Sequence, residues 1–238
     1  MKTFYARYEC SKEGTLVEDL VAHLRNVGNL AFTIAEKILP DYKNSAKVAG
    51  NFHDLFKVVF TRVPDCQKEP EGRMSFAHHE VVSAVFLANY LTKVDLNLSD
   101  EEMKAAVKAV LLHHQGLRRI SSGEFFNGYN RVMNSIRRKK FSKVLDDVKY
   151  LLSTLGYESI AEESMLKFET INEFLKERDE IKCEEERFVS GILMLADNYV
   201  SSKALGKQAS RLLVIEISDY LKSIGINSSV LSNSKENK

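Results

Sequence analysis

Long stretches in which apolar residues recur every three to four positions, interrupted by only three prolines and eleven glycines in 238 residues, restrict this chain to helices. The spacing predicts a first helix from Thr15, where "TLVE" reads as a capping box with Thr15 as cap and Glu18 reaching back, and where Leu20, Leu24, Val27, Leu30 and Ile34 form the apolar stripe. A second helix is expected over 45–62, ending before Pro64, then a loop over 63–75 and a third helix over 76–92. The fourth opens at Ser99, where "SDEE" is another capping box, and ends at Gly116. After a Gly/Ser/Asn-rich link around 121–130, helices are expected over 130–155, 162–177, 183–205 and 208–222. The fold class is all-α, with one domain over 1–224 and a frayed tail over 225–238.

Composition narrows the function classes. A hydrophobic fraction of 44% is ordinary for a globular chain, and a net charge of +1 means that any basic site must be local. Cys10, Cys66 and Cys183 are odd in number, far apart and without a CxxC pair, which argues against disulfides or a thiolate zinc site and for a reducing cytoplasm. The N-terminus has no apolar stretch of signal-peptide length, and no run reaches the roughly 18 apolar residues of a membrane span. Locally the charge is uneven. Arg118, Arg119, Arg131, Arg137, Arg138, Lys139, Lys140, Lys143 and Lys149 crowd one stretch, while 158–187 is rich in glutamate. Such runs are either solvated helix faces or, for the basic one, a rim that guides a polyanion.

The stretch "NFHDLFK", residues 51–57, sets a histidine and an aspartate inside an apolar helical run. On a helix, Ala46, Ala49, Gly50, His53, Asp54 and Lys57 share one stripe, opposite Val48, Phe52, Leu55, Phe56 and Val59. Small residues in that stripe let another helix or a ligand come close. Burying a carboxylate and an imidazole there costs several kcal/mol unless something compensates, and a divalent metal would. The six histidines, His23, His53, His78, His79, His113 and His114, all fall in predicted helices or at their ends. One histidine in an apolar helix is usually a satisfied core group, but doublets on successive helices fit the ligand set of divalent transition metals. In "GILMLADNYVSSKAL" Asp197 sits mid-helix after four apolar residues, either on the surface or facing the same site.

The order His23, His53-Asp54, His79, His113-His114, Asp197 resembles the HD superfamily of metal-dependent phosphohydrolases, over roughly 15–205. More narrowly, "HDLFK", the His-Glu pair in "FAHHE", "HHQG" and "AHLRNV" resemble the HD nuclease of type I CRISPR interference systems. Leu55-Phe56 stands where that family often has isoleucine-glycine. The resemblance implies an HD-domain helical bundle with a two-metal site in its core. Asp54 would bridge, His23, His53 and Asp197 would complete one metal, and His79, His113 and His114 the other. Helix phase leaves His78 and His79 open, and the family's His-Glu pattern favours His79. Lys57 resembles a lysine that holds the phosphate or its attacking water, against the alternative of a snorkelling surface lysine.

The cofactors implied are two divalent ions, manganese, cobalt, nickel or iron, with magnesium also admitted. The implied substrate is single-stranded DNA, gripped by Arg118, Arg119, Arg137, Arg138, Lys139 and Lys140. There is no Walker A motif and no room for helicase domains, so the implied partners are a separate CRISPR-associated helicase and a surveillance complex, with no membrane. The runner-up is an HD phosphodiesterase of nucleotides or cyclic dinucleotides, although "HHQGLRRI" lacks the Gly-Tyr-Pro of the cyclic-dinucleotide branch. A non-enzymatic bundle with a structural metal is the third reading.

Overall fold

A computed structural model describes residues 2–12, 14–114, 122–175, 183–205 and 211–226. It opens on a hairpin, not a helix. Strands β1 (Tyr5–Ser11) and β2 (Gly14–Asp19) pair antiparallel, with Arg7 opposite Glu18 and Cys10 opposite Thr15. Thr15 therefore caps nothing. Helix α1 (Leu20–Ile38) starts after the hairpin, capped by the Asp19 side chain, which accepts from the Ala22 amide at 2.9 Å. The strand reading follows from residues that a helical window averages away. In the first strand Ala6 and Cys10 are buried on one face, and the Leu20 amide donates to the Phe4 carbonyl, tying the hairpin to the helix.

The other α-helices among the described residues are α2 (Lys43–Phe52), α3 (His79–Leu91), α4 (Asp100–Leu112), α5 (Ser122–Arg138), α6 (Phe141–Leu155), α7 (Ile171–Leu175), α8 (Cys183–Leu205) and α9 (Arg211–Ser223). Every residue of α3 is buried, as suits a helix apolar all round at the centre of a bundle. Around it α4 packs on α3, α2 and α8, and α1 packs on α2 and α8. The expected stripe of α1 is in the core, and Ser99 and Glu102 form the capping box foreseen for α4. The link expected at 121–130 is instead helical from Ser122, and the single helix expected over 130–155 breaks at Lys140, whose φ is 68°. Ile226 is buried and its amide donates to Leu221, while 227–238, most of the expected tail, lie outside the described residues.

The expected second helix also breaks, and there the break matters. The α2 helix stops at Phe52, Asp54 adopts φ −109°, ψ 9°, and a 3-10 turn follows over Leu55–Val59. Asp54 thus occupies the sparsely allowed bridge region. The turn is held from outside, because the Phe56 amide donates to the Ser83 hydroxyl of α3 at 3.2 Å.

Cys10 and Cys66 are disulfide-bonded, which corrects the expectation of unpaired cysteines and removes the argument for a reducing compartment. The segment after the 3-10 turn folds back beside β1, where the Cys10 amide donates to Gly72 and the Met74 amide to Tyr8, so two cysteines 56 positions apart meet. A cross-link over that separation is expected to stabilise the fold by about 2–4 kcal/mol. Denaturation of Cys10→Ser against wild type measures it, and equal midpoints with and without a thiol reductant would show that the bond contributes nothing. Among the described residues no helix is long and apolar enough to cross a membrane.

Candidate metal centre

The bundle packs five helices so that their polar interruptions coincide. His23 lies in the first turn of α1, His53 and Asp54 follow α2, His79 begins α3, His113 and His114 follow α4, and Asp197 faces inward from the middle of α8. They assemble as two groups, Asp54 with His79, His113 and His114, and His23 with His53 and Asp197, the ligand atoms of each group lying within 4.8 Å of one another. A transition metal held at about 2.1 Å by its ligands sets those atoms about 3–4 Å apart.

Asp54 stands between the groups. Its Oδ1 is 2.6 Å from His79 Nε2 and 3.5 Å from His113 Nε2. Its Oδ2 is 3.3 Å from His23 Nε2 and 3.2 Å from His53 Nε2. Asp197 Oδ1 closes the second group, 3.3 Å from His23 Nε2 and 3.8 Å from His53 Nε2.

The imidazoles are oriented from behind. Nδ1 of His53 donates to Gly50 O at 2.8 Å, Nδ1 of His113 to Val110 O at 2.6 Å, and Nδ1 of His79 to Phe76 O. Nδ1 of His23 donates to the Glu18 carboxylate at 2.8 Å. Carbonyls and carboxylates only accept, so Nδ1 carries a proton in each ring and Nε2 faces inward, the arrangement that outer partners impose on metal-ligating histidines; Nε2 of His79 meets the Asp54 carboxylate there at 2.6 Å. Nε2 of His23 and His53 then lie 3.2 Å apart, as do Nε2 of His79 and His114. Lone pairs that close repel unless a cation or a proton lies between them. Two buried atoms, Asp54 Oδ2 and His113 Nε2, make no hydrogen bond, although the former has the Lys57 ammonium 2.5 Å away as an ion pair. The donor set, its orientation and the unbonded His113 Nε2 all fit divalent metal.

The carboxylates and imidazoles of the cluster also shift one another's titration. Burial opposes ionisation of Asp54, but His53, Lys57 and His79 outweigh it and hold the carboxyl well below its ordinary range. Asp197 is likewise held low against burial by His23 and His53. Burial works against charging His23, yet Asp197, Asp54 and Glu18 raise it well above its ordinary value. Burial lowers His113, and desolvation beside His113 and His79 pushes His114 down to about 3. Lys57 is no surface lysine. Its Nζ is 2.5 Å from Asp54 Oδ2, donates to Ala6 O at 3.1 Å and lies 4.9 Å from the centre of the Phe76 ring.

His78 stands apart, in the left-handed region at φ 63°, with its Nε2 accepting from Arg131 at 3.4 Å. Sequence reasoning missed Glu18, taken for the partner of a helix cap, and used Glu80 only as a marker. Glu80 is buried with Oε2 3.6 Å from His79 Nδ1. The signal for Glu80 was a carboxylate next to His79 in an apolar neighbourhood; Glu18, five positions before His23, gave none. Of the expected nucleic-acid contacts, Arg118 and Arg119 lie outside the described residues, and Arg137, Arg138 and Lys140 are exposed. Lys139 is turned inward, donating to Val59 O and to Thr61 Oγ1 at 2.6 Å.

Residues 20–151 match the HD domain. No curated protein and no solved structure matches the chain significantly.

Proposed function

The chain belongs to the HD domain family, which places it among metal-dependent phosphohydrolases, and on that premise we propose that it is a nuclease cleaving single-stranded DNA. The observation that carries hydrolysis at a paired metal site is the position of Asp54, one oxygen toward each ligand group. In this reading His23, His53 and Asp197 would hold one metal, His79, His113 and His114 the other, and Asp54 would serve both. When bound, two divalent metals supply an acidic water and positive charge for the attacking and leaving oxygens of the phosphodiester. Lys57, pinned by Asp54, Ala6 and the Phe76 ring, points a fixed positive charge at the same place and positions a phosphate oxygen. The four imidazoles whose Nδ1 is engaged from behind keep their ligand geometry before substrate arrives, so no reorganisation is needed when it does. The role in CRISPR interference, alongside a separate helicase and surveillance complex, rests on the "HDLFK", "FAHHE" and "HHQG" signatures.

The purified chain is expected to be inert after chelation and to regain hydrolysis with manganese, cobalt or nickel. It should cut single-stranded DNA without ATP, much faster than duplex. Full activity in a metal-free preparation would refute the metal mechanism. Hydrolysis of mononucleotides or cyclic dinucleotides far faster than oligonucleotides would replace the nuclease by the phosphodiesterase reading.

A further inference from the structure

Beside the metal centre lies an open groove of about 500 Å³, between the segment leaving the 3-10 turn, the segment returning to β1, and α5. Its volume is that of a small-ligand site. Val59, Phe60, Pro64 and Met74 give it an apolar side, and Arg62, Arg73 and Lys139 make it cationic against the single carboxylate of Glu69. That carboxylate is engaged by Arg62 at 3.5 Å. The Arg73 guanidinium has no hydrogen bond or ion pair among the described residues. Lys139 uses two of its donors on Val59 O and Thr61 Oγ1 and keeps a third. The groove adjoins the catalytic residues through two rings. Phe60 packs on Phe76 at 5.7 Å, and Phe76 packs on His79 and lies under the Lys57 ammonium.

An aromatic and apolar wall facing unpaired cations is how proteins hold single-stranded nucleic acid, with bases on the rings and phosphates on the charges. We infer that this groove binds a nucleotide flanking the cleaved phosphate, its base against Phe60 and Met74 and its phosphate on Arg73 and the free donor of Lys139. The inference rests on the nuclease reading and adds to it a track on the Lys57 side of the centre, formed by the disulfide-tethered segment and α5. Both walls are fixed before substrate arrives, one by Cys10–Cys66 and the other by Lys139.

Binding of a fluorescein-labelled oligothymidylate to the chelated 238-residue chain, followed by anisotropy across a salt series, tests it without turnover. Arg73→Gln is expected to weaken binding about tenfold, the loss of one charge-assisted contact. It should also flatten the slope of log affinity against log salt by about 0.7. Arg73→Lys should restore most of the slope. Lys37→Gln, an equal loss of charge on the exposed last turn of α1 and outside the groove, should leave binding unchanged. Wild-type affinity in Arg73→Gln, or an equal loss in Lys37→Gln, would overturn the groove while leaving the nuclease reading intact. A wild-type chain that hydrolyses a small chromogenic phosphodiester with manganese but neither binds nor cuts the oligonucleotide would overturn the nuclease reading and the groove together.

Discussion

Asp54→Ala is expected to strip the protein of both metals and to lower hydrolysis on the order of a hundred- to a thousandfold or more, at least the loss that follows removal of one transition-state-stabilising group. The reason is geometric. Asp54 is the residue whose two oxygens face different ligand groups, at 2.6 Å from His79 on one side and 3.2 Å from His53 on the other. Without it Asp197 is left facing the inward nitrogens of His23 and His53, no carboxylate faces those of His79 and His113, and the half-buried Lys57 ammonium loses its partner. A cation entering that space meets more positive charge and fewer ligands. His114→Ala makes a different prediction. His114 lies at the exposed edge of one group and touches the cluster through His79 Nε2 at 3.2 Å, so its loss should cost mainly one metal. Elemental analysis of the two variants, purified identically and loaded with manganese, decides the matter. Equal metal counts would contradict the bridging assignment.

Much of this site was legible because its chemistry runs against its surroundings. His53 and Asp54 stand out in "NFHDLFK" since an apolar helix has no other reason to carry them, and Asp197 stands out after "LMLA" for the same reason. The small-residue stripe that ends in His53 also carried information: Ala46, Ala49 and Gly50 are buried. What periodicity does not report is which distant backbone group will intervene. The helix expected through 45–62 is interrupted because Ser83, from another helix, takes the Phe56 amide. Thr15 and Glu18 satisfied the pattern of a helix cap, yet strand pairing with β1 won, and Glu18 was freed to hold His23. Cys10 and Cys66 looked unrelated because nothing local tells that the segment around Gly72 returns to β1. Lys139 read as one of a basic run, a solvated face or a rim for a polyanion, and only the position of Val59 shows that it turns inward.

Gly50→Ala is expected to damage the fold and the centre together. A Cβ at Gly50 would lie 2.5 Å from the Gly28 Cα, 2.7 Å from its N and 3.0 Å from the Val27 carbonyl carbon, all backbone of α1. Backbone cannot swing aside as a flexible side chain does, so α1 and α2 must separate. Overpacking of this kind costs about 1–3 kcal/mol, and in a chain of this size that lowers the melting temperature by roughly 3–10 °C. The pair also sets the metal centre, because His23 lies five positions before Gly28 and His53 three after Gly50. Separating the helices moves His23 Nε2 away from His53 Nε2, now 3.2 Å distant, while His79, His113 and His114 ride on α3 and α4. The variant should therefore melt earlier and bind less metal at the His23, His53 and Asp197 group, with the other group retained. Gly191→Ala is the control. That glycine is in the interior of α8 with nothing within 4 Å of its would-be Cβ, so alanine should stabilise by up to about 1 kcal/mol through helix propensity. A Gly50→Ala protein that melted with wild type and kept its full metal complement would show that the close approach of α1 and α2 is not what sets the spacing of the centre.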